Sequence, residues 1–153
     1  MLYPQANQFR MATRFPDFWE FRLDPEDAGL ADGWSAGFDG GRPIAVPASW
    51  NDLFEDGRDV LGPAWYQVAF RSGGGRPGWE QVIRFDSVSY QADVWLNGDP
   101  VGGHRGAHLP FECPIDAGLR EGENRLVVRV DGRLDRTTVP GGPQAKPGGT
   151  GTR

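Results

Sequence analysis

The chain has 153 residues, a length that predicts one domain with a core of its own. Its net charge is −5, and Lys146 is its only lysine, so neither a phosphate backbone nor an anionic membrane finds a basic patch to bind. The 23 Gly, 13 Pro and 6 Trp exclude a helical bundle and suit short, aromatic-rich strands broken by turns.

One cysteine, Cys113, rules out an intrachain disulfide. Residues 1–7 lack the apolar stretch of a signal peptide, and no segment approaches the roughly 20 apolar residues of a membrane span. These features predict a soluble, cytoplasmic protein.

Trp19, Phe21 and Leu23 alternate with Glu20 and Arg22, the period of a strand with one buried face. A turn-rich stretch from Pro25 to Pro43 follows, with Trp34 and Phe38 as anchors and a helical turn expected within residues 27–32. Residues 44–47 read as a short strand stopped by Pro47. In residues 64–71, Tyr66, Val68 and Phe70 point one way, and Trp65 and Gln67 the other. Strands are expected at residues 80–87 and 90–97, the second with Ala92, Val94 and Leu96 on one face.

Asn97-Gly98 is the strongest turn signal, because both residues tolerate the positive φ of a type I′ hairpin. It predicts a partner strand over residues 100–104. A short strand over 108–112, a helical turn over 114–119 and a strand over 124–131, with Leu126, Val128 and Val130 inward, complete the pattern. About seven or eight short strands with frequent turn signals predict an all-β, antiparallel sandwich. The folded domain is expected over residues 1–139. Residues 140–153 hold no large apolar side chain and read as a disordered Gly/Pro-rich tail.

Several motifs invite chemistry. Gly73 to Gly78 matches G-x-G-x-x-G, but a strand rather than a helix follows, so no helix N-terminus is there to hold a pyrophosphate. His104 and His108 have zinc-ligand spacing only on a helix, which Gly102, Gly103, Gly106 and Pro110 oppose, even with Cys113 nearby. No metal or other cofactor is expected. Glycosidic cleavage needs two carboxyl groups roughly 5–9 Å apart, and Asp17, Glu20, Asp86, Asp93, Asp99 and Glu112 offer no pair singled out by spacing. No catalytic residue is therefore assigned. Trp65, Trp79 and Trp95 have the ring faces that stack on sugars, and equally fill sandwich cores.

Four stretches carry a family resemblance. They are Met1 to Pro4 with Trp19 to Asp24; Ile44 to Asp52; Gly62 to Gln67, continuing through Arg84 to Val88 and Val94 to Gly98; and Gly103 to Glu112. In this order and spacing the chain resembles the amino-terminal domain of family 2 glycoside hydrolases, closest to the β-glucuronidases. That resemblance implies a jelly-roll, galactose-binding-domain-like sandwich that supports a separate catalytic (β/α)₈ barrel holding both catalytic glutamates. The barrel is absent from this chain. The family's acidic loop and its closing N-x-x-G-I-x-R strand do not appear either, so a sandwich short of its last strand is expected. Ala107 and His108 stand where the family often has glycine and an aromatic residue.

The leading expectation is a non-catalytic piece of a retaining β-glucuronidase, meeting its glucuronide only in the full enzyme. The alternatives are a stand-alone carbohydrate-binding or scaffold module, and a truncated product without activity. Trp65, Trp95 and His104 are the candidate sugar contacts. An unpaired sheet edge would favour self-association.

Overall fold

Two long strands form the spine of the molecule in a computed structural model that describes residues 7–133. Strand β3 (Pro63–Gly73) lies antiparallel to β8 (Glu121–Asp131), paired along the full eleven residues of each. Around them run β1 (Phe18–Leu23), β2 (Arg42–Ala45), β5 (Gln91–Leu96) and β6 (Asp99–Arg105). The six make one sheet in the order β2-β1-β3-β8-β5-β6, antiparallel throughout. β4 (Val82–Phe85) and β7 (Phe111–Pro114) pair as a second, two-stranded sheet. The fold is the expected antiparallel jelly-roll sandwich, with unequal layers. The tail expected to be disordered over 140–153 and the domain limit expected at 139 lie outside the described residues.

Alternation dictates the main core. Trp19, Phe21, Tyr66, Val68, Ala92, Val94, Leu96, Leu126, Val128 and Val130 share one face of the large sheet and pack with Ile83 and Cys113 of the small one. Each large side chain removed from water in this way contributes roughly 1.5–3 kcal/mol, which sets the register firmly.

The opposite face is also covered. Residues 24–41 fold over Trp65 and Val127, placing Phe38 and Trp34 on them as a second apolar cluster. This segment contains the expected turn, with Asp32 N–H donating to the Ala28 carbonyl, followed by a 3₁₀ turn at Trp34–Ala36. The turn at residues 115–119 is present too, with Leu119 N–H bonded to the Ile115 carbonyl.

Several boundaries differ from the sequence reading: β2 spans Arg42–Ala45 where a strand is expected over 44–47, and β8 begins at Glu121, ahead of the expected 124. A four-residue helix, α1 (Trp50–Leu53), was not anticipated; it is held by the burial of Trp50, whose Nε1 donates to the Val60 carbonyl at 3.1 Å. The strand expected over 80–87 is limited to the residues that β7 can pair. β7 itself begins at Phe111, just past Pro110, a residue with no N–H to offer a ladder.

The Asn97-Gly98 hairpin forms as expected, with φ of 54° and 91°. It pairs Leu96 with Asp99 and Trp95 with Pro100. A bulge then shifts the register by one residue, so that Val94 faces Gly102 and Ala92 faces His104.

Candidate functional site

That bulge separates the three candidate sugar contacts. Continued without it, the hairpin register would set His104 opposite Gln91, on the face that carries Trp95. With the bulge, His104 lies opposite Ala92 and turns to the main core. There its ring stacks on Phe111 at 4.8 Å, and Phe111 stacks on Phe85 at 4.8 Å. Its Nε2 is buried without a hydrogen-bond partner. His104 thus shares no surface with the two tryptophans.

Trp65 and Trp95 do meet. Their rings stack at 5.4 Å and 24° across Val127 of the intervening β8. Trp65 is wholly buried, and its Nε1 donates to Asp24 Oδ2 at 2.9 Å. Asp24 also accepts from the N–H groups of Ala28 and Gly29, so one carboxylate fastens both the indole and the start of the covering segment. Trp34 packs edge-on to Trp65 at 5.9 Å, with the Arg22 guanidinium 4.0 Å above the Trp34 ring. Trp95 is only half-buried, and it is the one indole of the pair with surface open to solvent.

Beside the tryptophans lies a charged cluster that sequence reasoning missed. Arg129, buried on β8, pairs with Asp27 at 2.7 Å, Asp93 at 3.3 Å and Asp131 at 3.4 Å. Arg133 bonds Asp27 at 2.9 Å and also Asp131. Hydrogen bonds from Arg129 and then Arg133 hold the Asp27 carboxyl below its ordinary value. For Asp131, burial pushes upward, but the bonds from Arg133 outweigh it and the net shift is downward. No local pattern could reveal a pairing between residues 102 positions apart.

The other carboxylates are engaged or scattered. Arg84 holds both Asp86 at 3.2 Å and Glu112 at 3.1 Å, and Glu20 accepts from Gln67 Nε2. Of the Gly73–Gly78 stretch, Gly73 ends β3, and residues 74–78 lie in the loop that leads to β4. His108 is exposed, whereas Cys113 is buried against Gly102, and burial raises its thiol above the ordinary range. Among the described residues no group of three His, Cys, Asp or Glu side chains is gathered around a possible metal position. No helix there is long and apolar enough to cross a membrane.

A cleft of about 240 Å³ opens at the end of the tryptophan face, lined by Ala36, Asn97, Arg120, Glu123, Asn124 and Arg125. Asn97 Nδ2 donates to the Gly118 carbonyl and to Asn124 Oδ1, both at 2.9 Å. Asn97 Oδ1 accepts from Arg125 N–H. Asn124 in turn binds the N–H and carbonyl of Arg120 at 2.9 and 2.8 Å.

Comparison with known proteins agrees with this architecture. Residues 53–139 match the family model described as "Glycosyl hydrolases family 2, sugar binding domain". The chain is 33% identical to a β-glucuronidase of Paenibacillus borealis and 32% identical to that of Canis lupus familiaris, in each case over 93% of this chain and 24% of the relative. Among solved structures, a Lactobacillus rhamnosus β-glucuronidase superposes with a TM-score of 0.85 at 34% identity, covering 91% of this chain and 24% of that one. A Ruminococcus gnavus β-glucuronidase gives 0.84 at 32% identity, with the same coverage. The chain therefore spans about a quarter of the length of the curated relatives it matches. With more than half of its residues inside the family match, this chain belongs to the sugar-binding domain family of the family 2 glycosyl hydrolases.

Proposed function

We propose that this sandwich serves as the non-catalytic amino-terminal domain of a β-glucuronidase, buttressing a catalytic barrel that acts on glucuronides by a retaining, two-carboxylate mechanism. The observation that carries this reading is the likeness to β-glucuronidases along 93% of the chain, matched by only 24% of each relative. The carboxylates of the described sandwich support it further. Asp86 and Glu112 sit on one guanidinium, Asp27, Asp93 and Asp131 surround another, and none is arranged as a free acid–base pair. The single cysteine and the absence of a disulfide suit a reducing, cytoplasmic setting.

A chimaera tests the proposal. Residues 1–139 would replace the matching segment of the Paenibacillus relative, and hydrolysis of a chromogenic glucuronide would be followed. The expected result is retained hydrolysis, lost when the segment is deleted. A folded chimaera as inactive as the deletion would overturn the assignment.

A second reading, a carbohydrate-binding module, draws on Trp95. Its indole is partly open to solvent and is supported from behind by Trp65. In this reading Trp95 is the stacking surface, Trp65 its backing, and His104 acts only by fixing β6 to the core. Trp fluorescence titrated with glucosides checks it; an unchanged spectrum at millimolar sugar counts against it.

A further inference from the structure

The cleft at the end of the tryptophan face carries an inference about charge. Arg120 and Arg125 line it together with one carboxylate, Glu123; Glu121, the other carboxylate between them in sequence, is not among the lining residues. Neither guanidinium forms an ion pair or a side-chain hydrogen bond among the described residues, although the chain as a whole has a net charge of −5. Arg42, Arg84, Arg129 and Arg133 are held in ion pairs, whereas Arg10, Arg14, Arg58 and Arg71, like Arg120 and Arg125, are not among the described residues; what sets Arg120 and Arg125 apart is that they line the same cleft. Two unpaired guanidiniums facing one cleft make a local positive field that selects an anion.

The cleft is also pre-shaped. Both asparagine amides are spent on backbone groups and on each other, so they hold the Arg120 and Arg125 backbones in place. Gly37, at φ +126°, leaves room for the Arg125 guanidinium; a Cβ there would fall 2.2 Å from Arg125 Nη1. Gly98, at φ +91°, lies beside Ala36, where an added Cβ would fall 3.5 Å from the Ala36 Cβ. Asn97 lies two residues from Trp95, and Arg125 two from Val127, so the cleft continues the tryptophan face by roughly 7 Å along the strands.

We propose that this cleft is a secondary binding site for a sugar bearing a carboxylate. The Arg120 and Arg125 guanidiniums receive the carboxylate, Glu123 accepts from ring hydroxyl groups, and the Ala36 methyl lies against the apolar face of the ring. The volume suits one ring rather than a long glycan. The choice of a uronate rests on the β-glucuronidase reading; the preference for an anion rests on the two unpaired guanidiniums alone.

The test is a ¹H–¹⁵N titration of the 153-residue chain with glucuronate, glucose and acetate. Glucuronate is expected to shift the amides of residues 36–37, 97–98 and 120–125 with half-saturation at about 1–10 mM, the weak range open to a shallow, exposed charge site. Glucose and acetate at the same concentrations are expected to leave them in place. R120Q and R125Q should each weaken the glucuronate response at least about fivefold, losing one charge-assisted contact, with an unchanged melting temperature. No shift with glucuronate, an equal response to acetate, or an undiminished response in R120Q would overturn the proposal. Should R125Q fold poorly, R120Q decides alone. A negative titration leaves the chimaera result untouched, so the two proposals fail separately.

Discussion

Trp65 and Asp24, 41 residues apart, are joined by an indole-to-carboxylate hydrogen bond of 2.9 Å in the interior of the sandwich. Asp24 is 2% exposed and Trp65 is fully buried, so neither partner can turn to water instead. Replacing Asp24 by Ala strands the indole N–H and the backbone N–H groups of Ala28 and Gly29. Each buried orphan costs about 1–3 kcal/mol, and backbone relaxation will recover some of that, so D24A should destabilise the fold by about 3 kcal/mol. D24N keeps one acceptor oxygen and should fall between D24A and the parent. Urea unfolding checks both; a loss in D24A below about 1 kcal/mol would show that water reaches these donors.

Asn97 combines a positive φ with a bonding role, and two substitutions separate them. N97G keeps the backbone geometry and loses the bonds to Gly118, Asn124 and Arg125. N97A loses both. N97G should cost about 1–2 kcal/mol and N97A about 1 kcal/mol more, the usual penalty for a left-handed conformation in a residue with a Cβ. Equal stabilities in denaturant melts would mean that the turn geometry is unimportant here.

Strand alternation made the main core legible in the sequence. Tyr66 and Val68 face it and Trp65 and Gln67 do not, as their parity requires. Parity could not show that the second face is buried as well, because residues 24–41 cover it without any period of their own. Only Trp34 and Phe38, large aromatics in a polar stretch, hinted at it. The surroundings of His104 were not legible for a different reason. A bulge between Val94 and Trp95 flips every later residue of β6 to the other face, and no composition marks it beyond the Gly102-Gly103 pair. The Arg129 cluster was invisible because its partners lie on β5, on β8 and in the covering segment. Asn97-Gly98, by contrast, fixed its own turn, since local backbone chemistry sufficed.

Acid should weaken the fold through Asp27 and Asp131. Both carboxyls are held below their ordinary value of 3.8 in the folded state. Their contribution is therefore complete above that value and is lost as pH falls through the lower, folded pKa values. Stability should hold steady near pH 6 and decline below about pH 4, where model carboxylates begin to protonate. The groups facing this pair are Arg129, Arg133 and Asp93. D27N should flatten the decline and lower stability at pH 6, because it removes partners from both arginines. A D27N variant with the parent's acid slope would place the dependence elsewhere.

Sheet edges give the last prediction. Among the described residues β2 and β6 end the large sheet, and β4 has a partner only in β7. β4 carries Val82, which is 40% exposed. An unpaired edge beside apolar side chains templates pairing with a second copy, and a lysine at such an edge opposes it by charge and desolvation. β2 is short and contains Pro43, which protects it; β6 carries Pro100 and two glycines, which lend it little surface. The 153-residue chain should therefore self-associate in sedimentation runs at tens of micromolar, and V82K should return it to a monomer without lowering its melting temperature by more than about 2 °C, since Val82 is a partly exposed surface position. A parent chain that stays monodisperse and monomeric at the highest concentration would show that the β4 edge is closed, and V82K would then change nothing.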